Sequence, residues 1–166
     1  MNRQSLRLFA PLFIASMAFS AFAQEKNAAL LVDGKPAVVF QIPSFAKVTS
    51  SNAYVNIHTS NLSLHVWAVP TVKSVGEAVP LAGHLIKSEF VKFKPNTITD
   101  LVVAGAPAKH IKGSGNEADD GDPGNAEVVL FVVGDKVFAA CIHGEFNDAA
   151  RAHDPMLAVL QTAHAP

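Results

Sequence analysis

The stretch Gly113–Glu145 reads GSGNEADDGDPGNAEVVLFVVGDKVFAACIHGE and divides into a polar part and two apolar runs. The polar part is rich in glycine and acidic residues, whereas Val128–Val133 and Lys136–His143 are mostly apolar. Gly134 and Asp135, which separate the two runs, are typical of a tight turn. The pattern predicts a β-hairpin entered from a long acidic loop. We expect any functional site to lie near this stretch.

The overall composition is typical of one folded domain. The 166 residues are 49% hydrophobic and 16% charged, which is too apolar for a disordered chain. The 13 basic and 14 acidic residues nearly balance, and no run of lysine or arginine occurs. We therefore expect no nucleic-acid partner, because nucleic-acid binding leaves a basic footprint. A single cysteine also excludes an internal disulfide.

The N-terminal segment has the three parts of a secretory signal peptide. Arg3 and Arg7 precede the uncharged apolar stretch Leu8–Phe22, which ends in the small-residue pattern Ala21-Phe22-Ala23. The stretch is shorter than the roughly 20 residues of a membrane span. We therefore predict a cleaved signal peptide over 1–23 and a single domain over 24–166, periplasmic or secreted, with no membrane span after cleavage.

Two β-hairpins are predicted in the first half of the domain. The first covers 28–42 around Asp33-Gly34, and the second joins 53–58 to 62–69. If residues 60 and 61 form the second turn, Val55 and Ile57 lie opposite Val66 and Leu64 on an aliphatic face. The other face is aromatic and polar, and it carries Tyr54, Asn56, His58, Ser63, His65 and Trp67. This second face is either a half-solvated sheet surface or a ligand-facing patch.

Two helices are predicted in the remainder of the domain. Ser74 and Glu77 form a capping box before apolar residues at helical spacing, which indicates a helix of about five turns ending near Lys94. Pro80 implies either a kink or a later start of this helix. The strand signals at 97–104 and 108–112 follow. Asp154-Pro155 is typical of the start of the final helix.

The predicted fold class is α+β, with an antiparallel β-sheet of about six or seven strands packed with two main helices. In this order of elements, FQIP at 40–43, VAGAPA at 103–108 and DPMLAVL at 154–160 resemble the PsbP-like superfamily. That superfamily includes PsbP, the Ran-binding MOG proteins and the DcrB-like exported bacterial proteins. The resemblance implies a PsbP-like fold and an accessory or binding role, and it assigns no functional residue.

The acidic loop is one candidate site. Its oxygen-bearing side chains offer the hard ligands that Ca²⁺ prefers, although their spacing does not match an EF-hand. A long solvated turn is the alternative explanation of the same residues. The candidate cation ligands are Asp119, Asp120 and Asp122, with Asn116, Glu117 and Glu127 nearby.

The apolar hairpin holds a second candidate site. Cys141, His143 and Glu145 alternate along one strand, so they should point to one face, with His110 as a possible fourth ligand from a neighbouring strand. Together they would suit zinc or copper. A thiol nucleophile with its base is a further alternative. The structural alternative is that Cys141 is a small buried hydrophobe and His143 a strand-end residue.

The sequence favours binding over catalysis. It contains no zinc-protease, nucleophile-elbow or dinucleotide-binding motif. We therefore expect an exported soluble binding or accessory protein that is not an enzyme and has no catalytic residue or organic cofactor. Its partner would be a protein or small-molecule ligand in the cell envelope. The alternative is a periplasmic protein that binds a divalent metal, either calcium or zinc and copper.

Overall fold

The computed structural model describes residues 25–59, 62–144 and 149–166, with side chains of the last segment described from Pro155 onward. The predicted signal peptide, the turn at residues 60 and 61 and the side chain of Glu145 lie outside these ranges. The elements in chain order are β1 (Glu25–Val32), β2 (Lys35–Pro43), β3 (Lys47–Ser50), β4 (Tyr54–His58), β5 (Leu62–Ala68), α1 (Val75–Ala78), a 3-10 turn (Val79–Leu81), α2 (Ala82–Leu85), β6 (Phe90–Val103), β7 (Ala106–Glu117), β8 (Pro123–Val133), β9 (Lys136–Gly144) and α3 (Ala149–Gln161).

The main sheet is antiparallel and has seven strands in the order β3-β4-β5-β9-β8-β7-β6, while β1 and β2 form a separate hairpin. The predicted α+β class with an antiparallel sheet of six or seven strands is therefore confirmed. Strand β9 pairs with β5. The β4–β5 and β8–β9 hairpins are therefore neighbours in the sheet, although they are far apart in the sequence. None of the described helices is long and apolar enough to cross a membrane.

Each face of the main sheet carries its own hydrophobic core. Along β9, Phe138, Ala140 and Ile142 enter the core that also contains residues of the β1–β2 hairpin and α3. Ala139 and Cys141 enter the opposite core, which contains residues of α1 and α2. This alternation follows from the period of two in a β-strand. A strand buried on both sides explains why β9 is apolar almost throughout.

The predicted register of the second hairpin is confirmed residue by residue. Val55 lies opposite Val66 and Ile57 opposite Leu64, and all four side chains are fully buried in the first core. Tyr54 lies opposite Trp67 on the other face. Alternation along the two strands predicts this register, because a one-residue slip would expose the whole aliphatic set.

The predicted five-turn helix from Ser74 to Lys94 is wrong in length. Ser74 Oγ accepts a hydrogen bond from the Glu77 amide at 3.3 Å, as expected of a cap, but regular helix ends after four residues. Pro80 then lies in a 3-10 turn, and α2 adds only one further helical turn. Phe90 begins β6, which pairs with β7 over most of its length. Sheet pairing with β7 therefore outweighs the helical spacing of the apolar residues.

The predicted long acidic loop is also wrong in length. Strands β7 and β8 remain paired up to Asn116 and Pro123, so the connection between them is a short turn at 118–122. Gly113 lies inside β7, where an added Cβ would come within 2.5 Å of the Lys94 carbonyl oxygen and the Phe93 ring. Gly113 therefore allows β6 to pack closely on β7 and does not serve loop flexibility.

The final helix begins earlier than predicted. It starts at Ala149 rather than at Asp154, and Pro155 lies inside it. Beyond its end, the Val39 amide donates to the His164 carbonyl at 2.9 Å, and the His164 amide donates back to Val39 at 3.1 Å. Residues after α3 are thereby tied to the edge of β2.

Candidate functional site

Three polar side chains meet on the face of the main sheet that also carries α1 and α2. His65 Nε2 lies 3.2 Å from His143 Nε2, and His65 Nδ1 lies 3.3 Å from Glu89 Oε2. His143 Nε2 lies 3.9 Å from the same Glu89 oxygen. The group is partly enclosed, because the exposed fractions of these side chains are 13% for His65, 16% for His143 and 27% for Glu89. We call these three residues the His-Glu cluster.

The sheet register brings the two histidines together. His143 lies opposite Ser63 and Cys141 opposite His65, so the two imidazoles are diagonal neighbours on one face of β5 and β9. Glu89 comes from a third place, immediately before β6. Its amide donates to the Ile86 carbonyl at 2.9 Å, and its own carbonyl accepts from the Ala118 amide at 3.0 Å. The backbone that carries all three side chains is therefore fixed by hydrogen bonds.

A pocket of about 330 Å³ opens beside the cluster. Tyr54 and Trp67 supply two aromatic side chains, and Glu89 is the one formally charged group among its described lining residues. The Asn56 Oδ1 atom is buried and has no protein donor among the described residues. The full lining consists of Ala53, Tyr54, Asn56, His65, Trp67, Leu85, Ser88 and Glu89. Four of these belong to the aromatic and polar face that alternation predicts for the second hairpin.

His65 is held in its neutral form. Burial is the largest cause and the neighbouring His143 and His58 add to it, so the pKa of His65 is lowered to about 4. The His58 ring meets the His65 ring edge to face at 5.8 Å, while His58 Nδ1 is engaged with Ser63 Oγ at 2.8 Å. At neutral pH His65 therefore contributes no charge, and the Glu89 carboxylate dominates the local electrostatics.

Acidification from pH 7 to pH 5 is expected to lower the free energy of unfolding, and His65 should account for part of the loss. The folded-state pKa of about 4 lies below the ordinary value of 6.5. Between these values the unfolded chain binds a proton that the folded chain does not. The contribution is therefore complete above pH 6.5 and is lost as the pH falls toward 4. Urea midpoints measured at both pH values in EDTA check this expectation.

The matched controls for this pH dependence are His65→Gln and His84→Gln. His65→Gln should flatten the pH dependence, whereas exposed His84 should be replaceable without effect on it. An unchanged slope in His65→Gln would show that another group causes the acid sensitivity.

The predicted metal ligands of the apolar hairpin do not form one site. Cys141 is fully buried in the core beneath α1 and α2, while His110 belongs to the opposite face of the sheet and is separated from β9 by β8. His110 Nε2 instead contacts Glu127 Oε2 at 2.6 Å, and Lys112 Nζ lies 3.0 Å from Glu127 Oε1. The predicted combination of His110 with Cys141 and His143 is therefore wrong, because no single ion reaches both faces.

Cys141 is consistent with the structural alternative. Burial, with the Glu89 carboxylate as the smaller cause, raises the pKa of the Cys141 thiol far above its usual range. A thiol of this kind is a small core hydrophobe rather than a nucleophile.

The acidic residues of the β7–β8 turn lie at the surface. The Asp120 amide donates to Asp119 Oδ1 at 3.0 Å, and the Asp122 amide donates to Asp120 Oδ1 at 2.9 Å. Ligand atoms of Glu117, Asp119 and Asp120 lie within 4.8 Å of one another, and Asp122 is not in this group. The side chains thus shape the turn, and a cation bound by Asp119, Asp120 and Asp122 stays a prediction.

Sequence reasoning missed Glu89 and the partnership of His65 with His143. Glu89 sits in a segment whose spacing indicates helix, and it belongs to no motif with either histidine. The two histidines are 78 residues apart and meet through the β5–β9 pairing, which no local pattern indicates. The one usable signal was the polar and aromatic face of the second hairpin.

Comparison with known proteins identifies the fold. No protein-family model and no curated protein sequence matches the chain. Its structure is similar to the solution structure of cyanobacterial PsbP (CyanoP) from Synechocystis sp. PCC 6803, with a TM-score of 0.58 and 10% identity over 92% of this chain and 99% of that one. It is also similar to LpqN, which is involved in cell envelope biogenesis of Mycobacterium tuberculosis, with a TM-score of 0.50 and 14% identity over 86% and 92%. The chain therefore has a PsbP-like fold, as the resemblance in its sequence implies.

Proposed function

We propose that this chain is an exported, non-catalytic binding protein of the cell envelope, and that it holds a small organic cation in the pocket of Tyr54, Trp67 and Glu89. The observation that carries the proposal is the composition of that pocket. Two aromatic side chains and one carboxylate line about 330 Å³, a size that suits a small molecule better than a protein segment.

Electrostatics favour a cation over an anion. Glu89 supplies a negative charge, and neutral His65 does not offset it. Asn56 Oδ1 is an additional acceptor that a donor group on the ligand would satisfy. The faces of Trp67 and Tyr54 also attract cations, because an aromatic ring has a negative quadrupole above its plane. An ammonium group flanked by apolar carbon combines these preferences.

The envelope location is supported by two independent features. The first 23 residues have the pattern of a secretory signal peptide. One of the structural neighbours, LpqN, is involved in cell envelope biogenesis. Because that similarity is one of fold, it adds plausibility to an accessory role and transfers no partner.

The lack of an accessible nucleophile beside the two histidines supports binding without turnover. Cys141 is the single cysteine of the chain and is inaccessible. Among the described residues, the His-Glu cluster lacks a serine, threonine or thiol nucleophile in hydrogen-bond contact with His65 or His143. We therefore expect no hydrolysis of ester or phosphate substrates.

Benzylamine and benzoate provide a charge-matched test, because they share a ring and differ in the sign of their charge. Trp67 is the single tryptophan and lines the pocket, so its fluorescence reports on occupancy directly. We expect benzylamine to change the emission with a dissociation constant of about 1 mM or lower, and benzoate to bind at least tenfold more weakly.

Variants assign the effect to the pocket. Glu89→Gln should remove the preference for benzylamine, whereas Asp135→Asn, an exposed carboxylate outside this pocket, should preserve it. Equal binding of both probes, or no binding of either by wild-type protein, would overturn the proposed ligand class.

A further inference from the structure

We propose that His65, His143 and Glu89 form a site for a divalent transition-metal ion of the zinc and copper class. One ligand atom from each residue can be chosen so that all three lie within 4.8 Å of one another. The proposal goes beyond the organic-cation pocket and does not depend on it. His143 retains its predicted role as a ligand, but its partners differ from those that the sequence indicates.

The distances suit a small tetrahedral ion. Ligand atoms at about 2.0–2.1 Å from zinc are separated from each other by about 3.3 Å in a tetrahedron. The two histidine Nε2 atoms are 3.2 Å apart, which matches this spacing without movement of either strand. The 3.9 Å between His143 Nε2 and Glu89 Oε2 is longer. Metal binding therefore requires the Glu89 carboxylate to turn toward the two Nε2 atoms, away from its 3.3 Å contact with His65 Nδ1.

The donor set selects the class of ion. Two imidazole nitrogens and one carboxylate oxygen suit zinc, copper and nickel, whereas calcium and magnesium prefer oxygen ligands throughout. The two Nε2 atoms are 3.2 Å apart, and two lone pairs facing each other at this distance would repel, so a proton or a cation must lie between them. In the metal-free protein a single N–H proton fulfils this need, because one imidazole donates to the other. A metal ion at the site takes the position of that proton, which moves to the Nδ1 atom of the same ring, so that both Nε2 lone pairs face the ion.

The surroundings hold the ligands in place. His65 and His143 stand on adjacent paired strands in the interior of the sheet, and the Glu89 backbone is hydrogen-bonded on both sides. His58 packs its ring against His65 while its own Nδ1 contacts Ser63. Rigid elements and supporting contacts of this kind favour metal affinity, since little ordering accompanies binding.

Three protein ligands leave a further coordination position. In proteins, zinc sites with three protein ligands accept water or an added ligand at the fourth position. His65 and Glu89 both line the pocket, so an ion held by the cluster sits at its wall. Glu89 can serve only one of the two ligands at a time, because a divalent ion on its carboxylate opposes an organic cation beside it. The benzylamine titrations are therefore made in EDTA. His143 belongs to the metal site alone and Trp67 to the pocket alone.

Isothermal titration of untagged, EDTA-treated protein with ZnCl₂ tests the proposal. We expect one zinc ion per chain with a dissociation constant of about 1 µM or lower, similar behaviour with CuCl₂ and no heat with CaCl₂. His143→Asn and Glu89→Gln should each weaken zinc binding at least tenfold. His84→Asn removes an exposed histidine and should bind as wild type does. Circular dichroism confirms that each variant is folded.

The outcomes separate this site from the pocket. Trp67→Ala should lose benzylamine binding and keep zinc binding, while His143→Asn should show the reverse. Zinc should also raise the melting temperature of wild-type protein and not that of His143→Asn. Zinc binding weaker than 100 µM in wild type, or equal affinity in wild type and His143→Asn, overturns the metal site. Either result leaves the benzylamine measurement unaffected.

Discussion

Replacing Leu64 with aspartate is expected to abolish the cooperative unfolding transition at 25 °C. Leu64 is fully buried in the centre of the first core, opposite Ile57 on β4 and Ile142 on β9. The substitution removes about 2–5 kcal/mol of packing and adds the cost of an unpaired buried carboxyl group. Because a domain of this size is stabilised by only about 5–15 kcal/mol, most of the folded population should be lost.

A matched control separates the effect of burial from that of charge. Ile98→Asp makes a comparable chemical change on β6, where the side chain is 50% exposed. This variant should melt cooperatively within about 0.5–1 kcal/mol of wild type. Thermal denaturation followed by circular dichroism compares the two. A cooperative melt of Leu64→Asp near the wild-type temperature would contradict the assignment of the aliphatic face to the core.

Replacing Gly113 with alanine is expected to destabilise the protein by about 3 kcal/mol, at the upper end of the usual range for overpacking. The added Cβ would lie 2.5 Å from both the Lys94 carbonyl oxygen and the Phe93 ring. The ring can rotate, but the carbonyl belongs to the neighbouring strand and can move only if β6 and β7 separate. The melting temperature should therefore fall by roughly 10 °C.

Gly76→Ala is the control for the glycine substitution. Gly76 lies in α1, and its nearest neighbour to an added Cβ is Ser74 Oγ at 3.9 Å, an ordinary van der Waals contact. Alanine should be neutral or stabilising there by up to about 1 kcal/mol, because it restricts the unfolded chain and favours helix. A Gly113→Ala variant as stable as Gly76→Ala would mean that β6 does not pack closely on β7.

The two substitutions lie in different strands of the main sheet, Leu64 in β5 and Gly113 in β7. Both residues help to hold the strands that position the His-Glu cluster. Leu64 is next to His65 on β5, with its side chain on the other face. Gly113 allows Phe93 and the start of β6 to lie flat on β7, directly after Glu89. Core packing on one face and close strand contact on the other therefore both position the His-Glu cluster.

The parts of the fold that local patterns predict are the parts that local physics controls. Alternation along the two strands predicts the β4–β5 register, because a slip by one residue would move every aliphatic side chain to the other face. Pro80 indicates an interruption, and the helical segment does change there to a 3-10 turn. The PsbP-like fold is likewise indicated by the order of elements and three short motifs.

Errors arose where a distant partner determines the local structure. Phe90 and Phe93 recur at helical spacing, yet both belong to strand β6. Their rings pack against glycines of the neighbouring strand β7. The local pattern predicts a loop at Gly113 and Gly115 for the same reason, since it does not indicate that the Phe93 and Phe90 rings cover them. The turn at 118–122 is much shorter than the glycine-rich acidic sequence suggests. Most of that sequence belongs to β7 and β8, which pair as far as Asn116 and Pro123.

The sequence by itself determined the α+β class, the aliphatic and polar faces of the second hairpin, and the expectation that Cys141 is a core residue. These properties depend on composition and on the period of two along a strand, which are local. Only the tertiary structure placed His143 beside His65, brought Glu89 to both of them and sent His110 to the opposite face. The physical reason is that β5, which pairs with its sequence neighbour β4 along one edge, pairs along its other edge with the distant strand β9. The cluster therefore depends on contacts made across the sheet.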